Sequence, residues 1–148
     1  MKINTKFFGE IEIEEEKIIN FPNGIIGFED LKRFVLIDHP GSDTIKWLQS
    51  VEEKDFALPV VDPLSFFPDY EPVINESDLK NLKLNSIEDG VVLCILTVPK
   101  NPESTTVNLK APIVLNPLNR LGDQLIAENP DYQIKQPVKI FTESLKES

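Results

Sequence analysis

The sequence predicts an all-β fold, a compact antiparallel β-barrel-like domain with one or two short helices, on three observations. Twelve prolines interrupt the 148 residues too often for long helices. Between them lie short apolar runs rich in Ile, Val and Phe, most of them bounded by Gly, Pro or Asn. One run, Glu10-Ile11-Glu12-Ile13-Glu14, alternates with period two, which places Ile11 and Ile13 on one face of a strand and the carboxylates on the other.

In chain order, strands are expected at 3–8, 10–14, 17–21, 34–38, 44–50, 56–61, 90–98, 105–109, 111–116 and 123–127. Phe21-Pro22-Asn23-Gly24 is a turn signal. Over 28–34 an acidic pair precedes Lys32 and Arg33, the sign order a helix prefers, so one or two helical turns are expected there. His39-Pro40-Gly41 ends a strand in a turn. A second short helix is expected over 77–82, with Ser77 as its cap and Leu79 and Leu82 three apart on one side. The run 91–96 is apolar throughout and reads as a strand buried on both faces, with Cys94 as a small core filler. Pro112 splits 108–116 into two strand pieces, the pattern of an edge or a bulge. The last residues, 142–148, are polar and expected to fray.

Composition bounds the function. With 41% hydrophobic and 27% charged residues, the chain is expected to form one globular domain over 1–148. Its longest nearly uncharged apolar run, 91–98, is far short of the roughly 20 residues that span a bilayer. The start, Met1-Lys2-Ile3-Asn4-Thr5-Lys6, leads into charged residues rather than a signal-peptide core, so a cytoplasmic location and no membrane partner are expected. A single cysteine excludes an intrachain disulfide and a cysteine-based zinc cluster. The net charge is −10, and residues 38–90, with 4 basic and 12 acidic side chains, hold −8 of it. Nucleic acid is therefore a poor direct partner, and a basic protein surface a good one.

No catalytic constellation emerges. The lone His39 has no second histidine for a metal site and no nucleophile beside it, and is read as a turn residue. The six glycines form no phosphate loop or dinucleotide fingerprint. Asp62 and Asp69 are near in sequence, which says nothing of the separation acid–base work requires. Asn75-Glu76-Ser77 matches the glycosylation pattern, a chance match in a cytoplasmic protein. The chain is expected not to be an enzyme and to need no cofactor or metal.

The segment 62–72 is the most unusual. Three prolines stiffen a loop that sets Leu64, Phe66, Phe67 and Tyr70 beside Asp62, Asp69 and Glu71. Apolar anchors ringed by acid suit a groove for a basic amphipathic helix, and Leu64, Phe66, Phe67, Asp69, Tyr70 and Glu71 are the candidate partner-binding residues. Spacing alone favours the other reading, in which the aromatic rings fold back and close one end of the barrel. The expected division makes Phe66 or Phe67 structural and turns Tyr70 toward a partner.

Taken in order, Phe21-Pro22-Asn23-Gly24-Ile25-Ile26-Gly27-Phe28-Glu29, Trp47-Leu48-Gln49-Ser50, the run from Asp62-Pro63 to Tyr70, and Asn108-Leu109-Lys110-Ala111-Pro112-Ile113 resemble the FliW family of bacterial flagellar assembly factors. The likeness runs from the first strand to about Ile140 and is loosest over 121–132. It implies a non-enzymatic regulator with a β-barrel-like fold that binds flagellin and the RNA-binding translational repressor CsrA in exchange. Flagellin held in the cell would occupy the regulator and free CsrA to repress; flagellin export would return the regulator to CsrA. The alternative from another class is a small barrel that binds carbohydrate or nucleic acid through aromatic loops, against which the charge of residues 38–90 argues.

Overall fold

The computed structural model describes residues 1–139; the tail expected to fray at 142–148 lies outside them. Among the described residues the chain forms β1 (Lys2–Thr5), β2 (Gly9–Glu12), β3 (Ile19–Asn20), β4 (Arg33–Asp38), β5 (Ile45–Ser50), β6 (Ala57–Val61), α1 (Glu76–Asn81), β7 (Val91–Thr97), β8 (Thr106–Val107), β9 (Ile113–Asn116), β10 (Leu121–Gln124) and β11 (Gln136–Pro137). Seven strands close in the order β3-β4-β5-β6-β7-β9-β10 and back to β3. The fold is thus mostly β, a closed barrel with one short α-helix, as the sequence predicts.

Closure forces one departure from an antiparallel sheet. Directions cannot alternate around a ring of seven, so one neighbouring pair must run parallel, and it is β10 with β3, joined only at Leu121 and Asn20. β7 is the strand that closes the ring: Val91, Val92 and Leu93 pair with β9, while Leu96 and Thr97 pair with β8 outside it. Pro59 sits within β6, and β7 joins that strand only at Val60 and Val61, just past the residue that lacks an N–H for a second ladder.

Strand alternation sorts the apolar residues. One set, including Phe21, Phe34, Leu48, Val60, Leu93 and Ile113, converges from around the ring and fills the barrel. The alternate residues face outward and are covered by additions. The β1–β2 hairpin lays Ile3 and Ile13 against Val35 of β4, which bears out the face expected of Ile13. α1 sets Leu79 and Leu82 on Val114 of β9. Loop 62–72 covers the outer face of β5, β6 and β7, where Trp47, Val61, Cys94 and Leu96 lie. Cys94 is fully buried, as expected of a core thiol.

Several expectations are corrected. No helix forms over 28–34: Phe28 and Leu31 make turn bonds, and the N–H groups of Lys32 and Arg33 both donate to Glu52 Oε1, at 2.8 and 2.9 Å. Seven residues nucleate a helix poorly, and a carboxylate from another loop outbids it for the donors. Gly24 holds the preceding turn with φ of +67°, and a Cβ there would lie 2.5 Å from the Cα of Glu29. The strand expected at 17–21 shrinks to β3 behind a 3-10 turn at Glu15–Lys17, and that expected at 123–127 moves to β10. The 105–109 strand is only β8, and its partner β11 carries no apolar pattern to betray it.

The cap of α1 is Asn75 rather than Ser77: its Oδ1 accepts from the backbone N–H of Ser77 at 2.8 Å and from the Ser77 hydroxyl at 2.6 Å. At the other end Leu84 N–H closes back to Leu79 O, Lys83 takes φ of 60°, and buried Asn116 donates to Leu82 O at 2.8 Å. The Asn75→Ala variant is expected to lose about 1 kcal/mol in a urea titration, the usual worth of such a cap, whereas Ser77→Ala should lose less.

Candidate functional site

Loop 62–72 begins where β6 ends. Asp62 caps a 3-10 turn at Pro63–Ser65, its Oδ1 accepting from Leu64 N–H at 3.0 Å, and Pro63 presets the backbone angle for that first position. Pro63 O then accepts from Phe66 and Phe67 N–H, and Phe67 O from Tyr70 N–H. Each bond turns the chain back toward the barrel. The result is a folded strap rather than an open loop.

Tyr70 is its rivet. The side chain is buried, its hydroxyl donates to Leu109 O at 2.8 Å, and its ring stacks on Tyr132 with centroids 4.8 Å apart. Burial raises its pKa, so the hydroxyl stays protonated and donating. Beyond it, Glu71 N–H donates to the Tyr132 hydroxyl at 2.7 Å, and Asn129 clamps both sides of Pro72, donating to Glu71 O and accepting from Val73 N–H. The expectation that Tyr70 turns toward a partner is corrected: its hydroxyl has a buried acceptor to reach, and the ring follows it inward. Nor do the rings close a barrel end; Phe66 and Phe67 are half-buried against the apolar cluster on the outer face of the sheet.

Cys94 lies under the strap with its thiol 3.8 Å from the Tyr70 hydroxyl. Burial pushes that thiol up to about 12, with the Tyr70 hydrogen bond acting against the shift. A neutral, covered thiol neither ligates nor attacks. Cys94 should therefore resist labelling by a water-soluble thiol reagent until urea unfolds the chain, and Cys94→Ala should cost about 1 kcal/mol.

What the strap leaves outside is a groove of about 930 Å³ between itself and the start of β7. Leu64, Pro68, Tyr70 and Pro72 give one wall, Ile87, Val91 and Val92 the other, and Asp62, Asp69, Glu71 and Glu88 stand along it with Lys46. Lys46 is paired with Asp38. Among the described residues none of those four carboxylates is in an ion pair, so the groove is anionic as well as apolar. Leu64 is 53% exposed, an apolar side chain at the groove's edge.

Of the six residues singled out in the sequence, the fold brings Leu64, Asp69, Tyr70 and Glu71 to this groove and leaves Phe66 and Phe67 out of its lining. Sequence reasoning missed the facing wall. Ile87, Glu88 and Val91 are remote in the chain, and only the barrel register sets them opposite the strap. His39 is in a turn as expected, accepting from Ser42 N–H through its carbonyl, but is also buried, with Nδ1 accepting from the Trp47 indole N–H at 2.8 Å. Among the described residues no cluster of His, Cys, Asp and Glu is placed to hold a metal, and no helix is long and apolar enough to cross a membrane.

A family model described as FliW protein matches residues 2–138, which takes in the barrel, the strap and both groove walls. The chain belongs to the FliW family. It is 43% identical to the flagellar assembly factor FliW of Natranaerobius thermophilus over 93% of this chain and 92% of that one. With the flagellar assembly factor FliW of Lachnospira eligens the identity is 44%, over 93% and 94% of the two chains. A crystal structure of the flagellar assembly factor FliW superposes with a TM-score of 0.85 at 39% identity, covering 93% of this chain and 96% of that one. The resemblance drawn from the ordered turn motifs is therefore correct, and the barrel is the fold of the family.

Proposed function

We propose that the chain is a cytoplasmic flagellar assembly factor that works by switching partners. It binds the RNA-binding repressor CsrA and so relieves repression of flagellin translation, and it binds flagellin as a chaperone that releases CsrA. Membership in the FliW family supports this reading, and the observation that carries it is the groove along the strap, apolar in its walls and lined by four carboxylates that make no ion pair among the described residues. An RNA-binding surface is basic, so a chain of net charge −10 meets it with complementary charge. Seated beside that surface, the same charge repels incoming phosphates without covering every RNA contact.

The chemistry at the site is recognition, not bond making. Leu64 supplies a central apolar anchor, Asp69 and Glu71 a charged rim, and the prolines of the strap reduce the entropy lost on docking. Light scattering on the purified chain mixed with CsrA, with flagellin, and with both tests the proposal. Two binary complexes are expected, with flagellin displacing CsrA in the ternary mixture. Failure to bind either partner overturns the reading, and saturable binding of a single-stranded oligonucleotide or an oligosaccharide in its place would favour the small ligand-binding barrel.

A further inference from the structure

A second groove, of about 790 Å³, runs beneath the β1–β2 hairpin. Its floor is apolar, with Ile11, Ile19, Ile37 and Leu115, and its rim carries Glu12, Glu14 and Glu16, with Lys17 and Arg120 toward one end. Just past Pro117, which lines that end, Leu118 is 94% exposed. Val91 lines this groove and the strap groove alike, and is itself 41% exposed. The two grooves thus share one lining residue, the first of the strand that closes the barrel.

We infer that the two grooves form one docking track, with Val91 as its saddle, and that its occupant is a single long amphipathic protein segment rich in Lys and Arg. Charge identifies the occupant. Seven carboxylates line the track, at 12, 14, 16, 62, 69, 71 and 88, against three cations, at 17, 46 and 120. Among the described residues only Glu12 of those seven is in an ion pair, with the N-terminal amine, whereas Lys46 is already held by Asp38. An anionic track with an apolar floor leaves its carboxylates uncompensated until a cationic segment lies along it. A segment that engages both grooves makes its second contact within one complex, so its affinity exceeds that of a segment filling one groove alone. The inference rests on the reading of the strap groove as a partner surface and adds to it the second groove and the length of what binds.

Two Leu/Lys amphipathic peptides, of about 10 and about 22 residues, and a Leu/Glu version of the longer serve as probes in calorimetry and in amide chemical-shift titrations of the full chain. The long cationic peptide should bind with one-to-one stoichiometry, at least about 30-fold tighter than the short one, and shift amides on both the Glu14 and the Glu88 walls. In Glu14→Gln/Glu16→Gln, both exposed and on the far groove only, the long peptide should weaken about 5-fold or more and the short one hold its affinity for the strap groove. Val91→Arg, at an exposed position that keeps its ladder backbone, should abolish the advantage of length. Two short peptides per chain with no gain from length, shifts confined to one groove, equal binding of the Leu/Glu peptide, or burial of the track in a dimer of the free chain would each overturn the inference. Shifts confined to the strap groove would leave the proposed partner surface standing while removing the track. A strap groove untouched by every peptide would remove both.

Discussion

Replacing Tyr70 by alanine should lower the free energy of unfolding by about 3–5 kcal/mol, the cost of removing a buried aromatic ring and leaving a cavity. The ring is shared between the strap and the outer face of the sheet, touching Cys94 and Tyr132, so its loss frees the strap as well as emptying a site. Tyr70→Phe separates the ring from the hydroxyl: it keeps the packing but strands the carbonyl of Leu109 without its donor, which costs about 1–2 kcal/mol. The same hydroxyl predicts an alkaline effect. Its folded pKa is raised above the ordinary value of 10.0 by burial, so the stability it confers is whole below that value and declines as pH rises above it, because ionisation then favours the unfolded chain. Urea titrations of the native chain and both variants at neutral pH, with the native chain and Tyr70→Phe repeated above pH 10, check all three statements. Near-native stability in Tyr70→Ala would mean that the strap is held elsewhere.

The barrel was legible in the sequence because strand signals are local. The Ile11/Ile13 alternation and the all-apolar run around Cys94 each declare which faces are buried, and the structure buries them except at the start of the run, where Val91 is exposed. What was not legible depended on distant partners. Over 28–34 the charges satisfied a helix, yet Glu52 takes the donors and Asn20 pairs with Arg33, so tertiary bonding overrides a weak local preference. β11 is two residues long and exists only because Val107 and Thr106 offer an edge. At the candidate site, composition picked out a loop that lines a groove, while the facing of its aromatic side chains escaped it. Phe66, Phe67 and Tyr70 look alike in a sequence, but a tyrosine pointed inward must find an acceptor, and Leu109 O is 39 residues away. The strap was visible, its depth was not, and Val91, at the start of an apolar run, gave no sign that it would be exposed.

Leu64→Ala should separate recognition from folding most sharply. The side chain is exposed and fills no cavity, so unfolding free energy should change by no more than about 0.5 kcal/mol. If it is the anchor on which a partner segment seats, affinity for CsrA should fall by about 2 kcal/mol, roughly 30-fold, with most of the change in the dissociation rate. Asp69→Asn with Glu71→Gln should act differently. Both carboxylates are exposed, so the double variant should chiefly slow association and flatten its dependence on salt, since long-range attraction fades within a Debye length of about 10 Å at 0.1 M. Pro68→Gly leaves Leu64 and the carboxylates in place but takes a ring from the groove wall and loosens the strap, and should weaken binding through the lost contact and the added entropy cost of ordering it. Stopped-flow or surface-based kinetics on these variants at two ionic strengths, with thermal melts alongside, decides the matter. If binding is indifferent to all three changes while the melts stay native, the strap serves only to cover the sheet, and the partner surface lies on another face of the barrel.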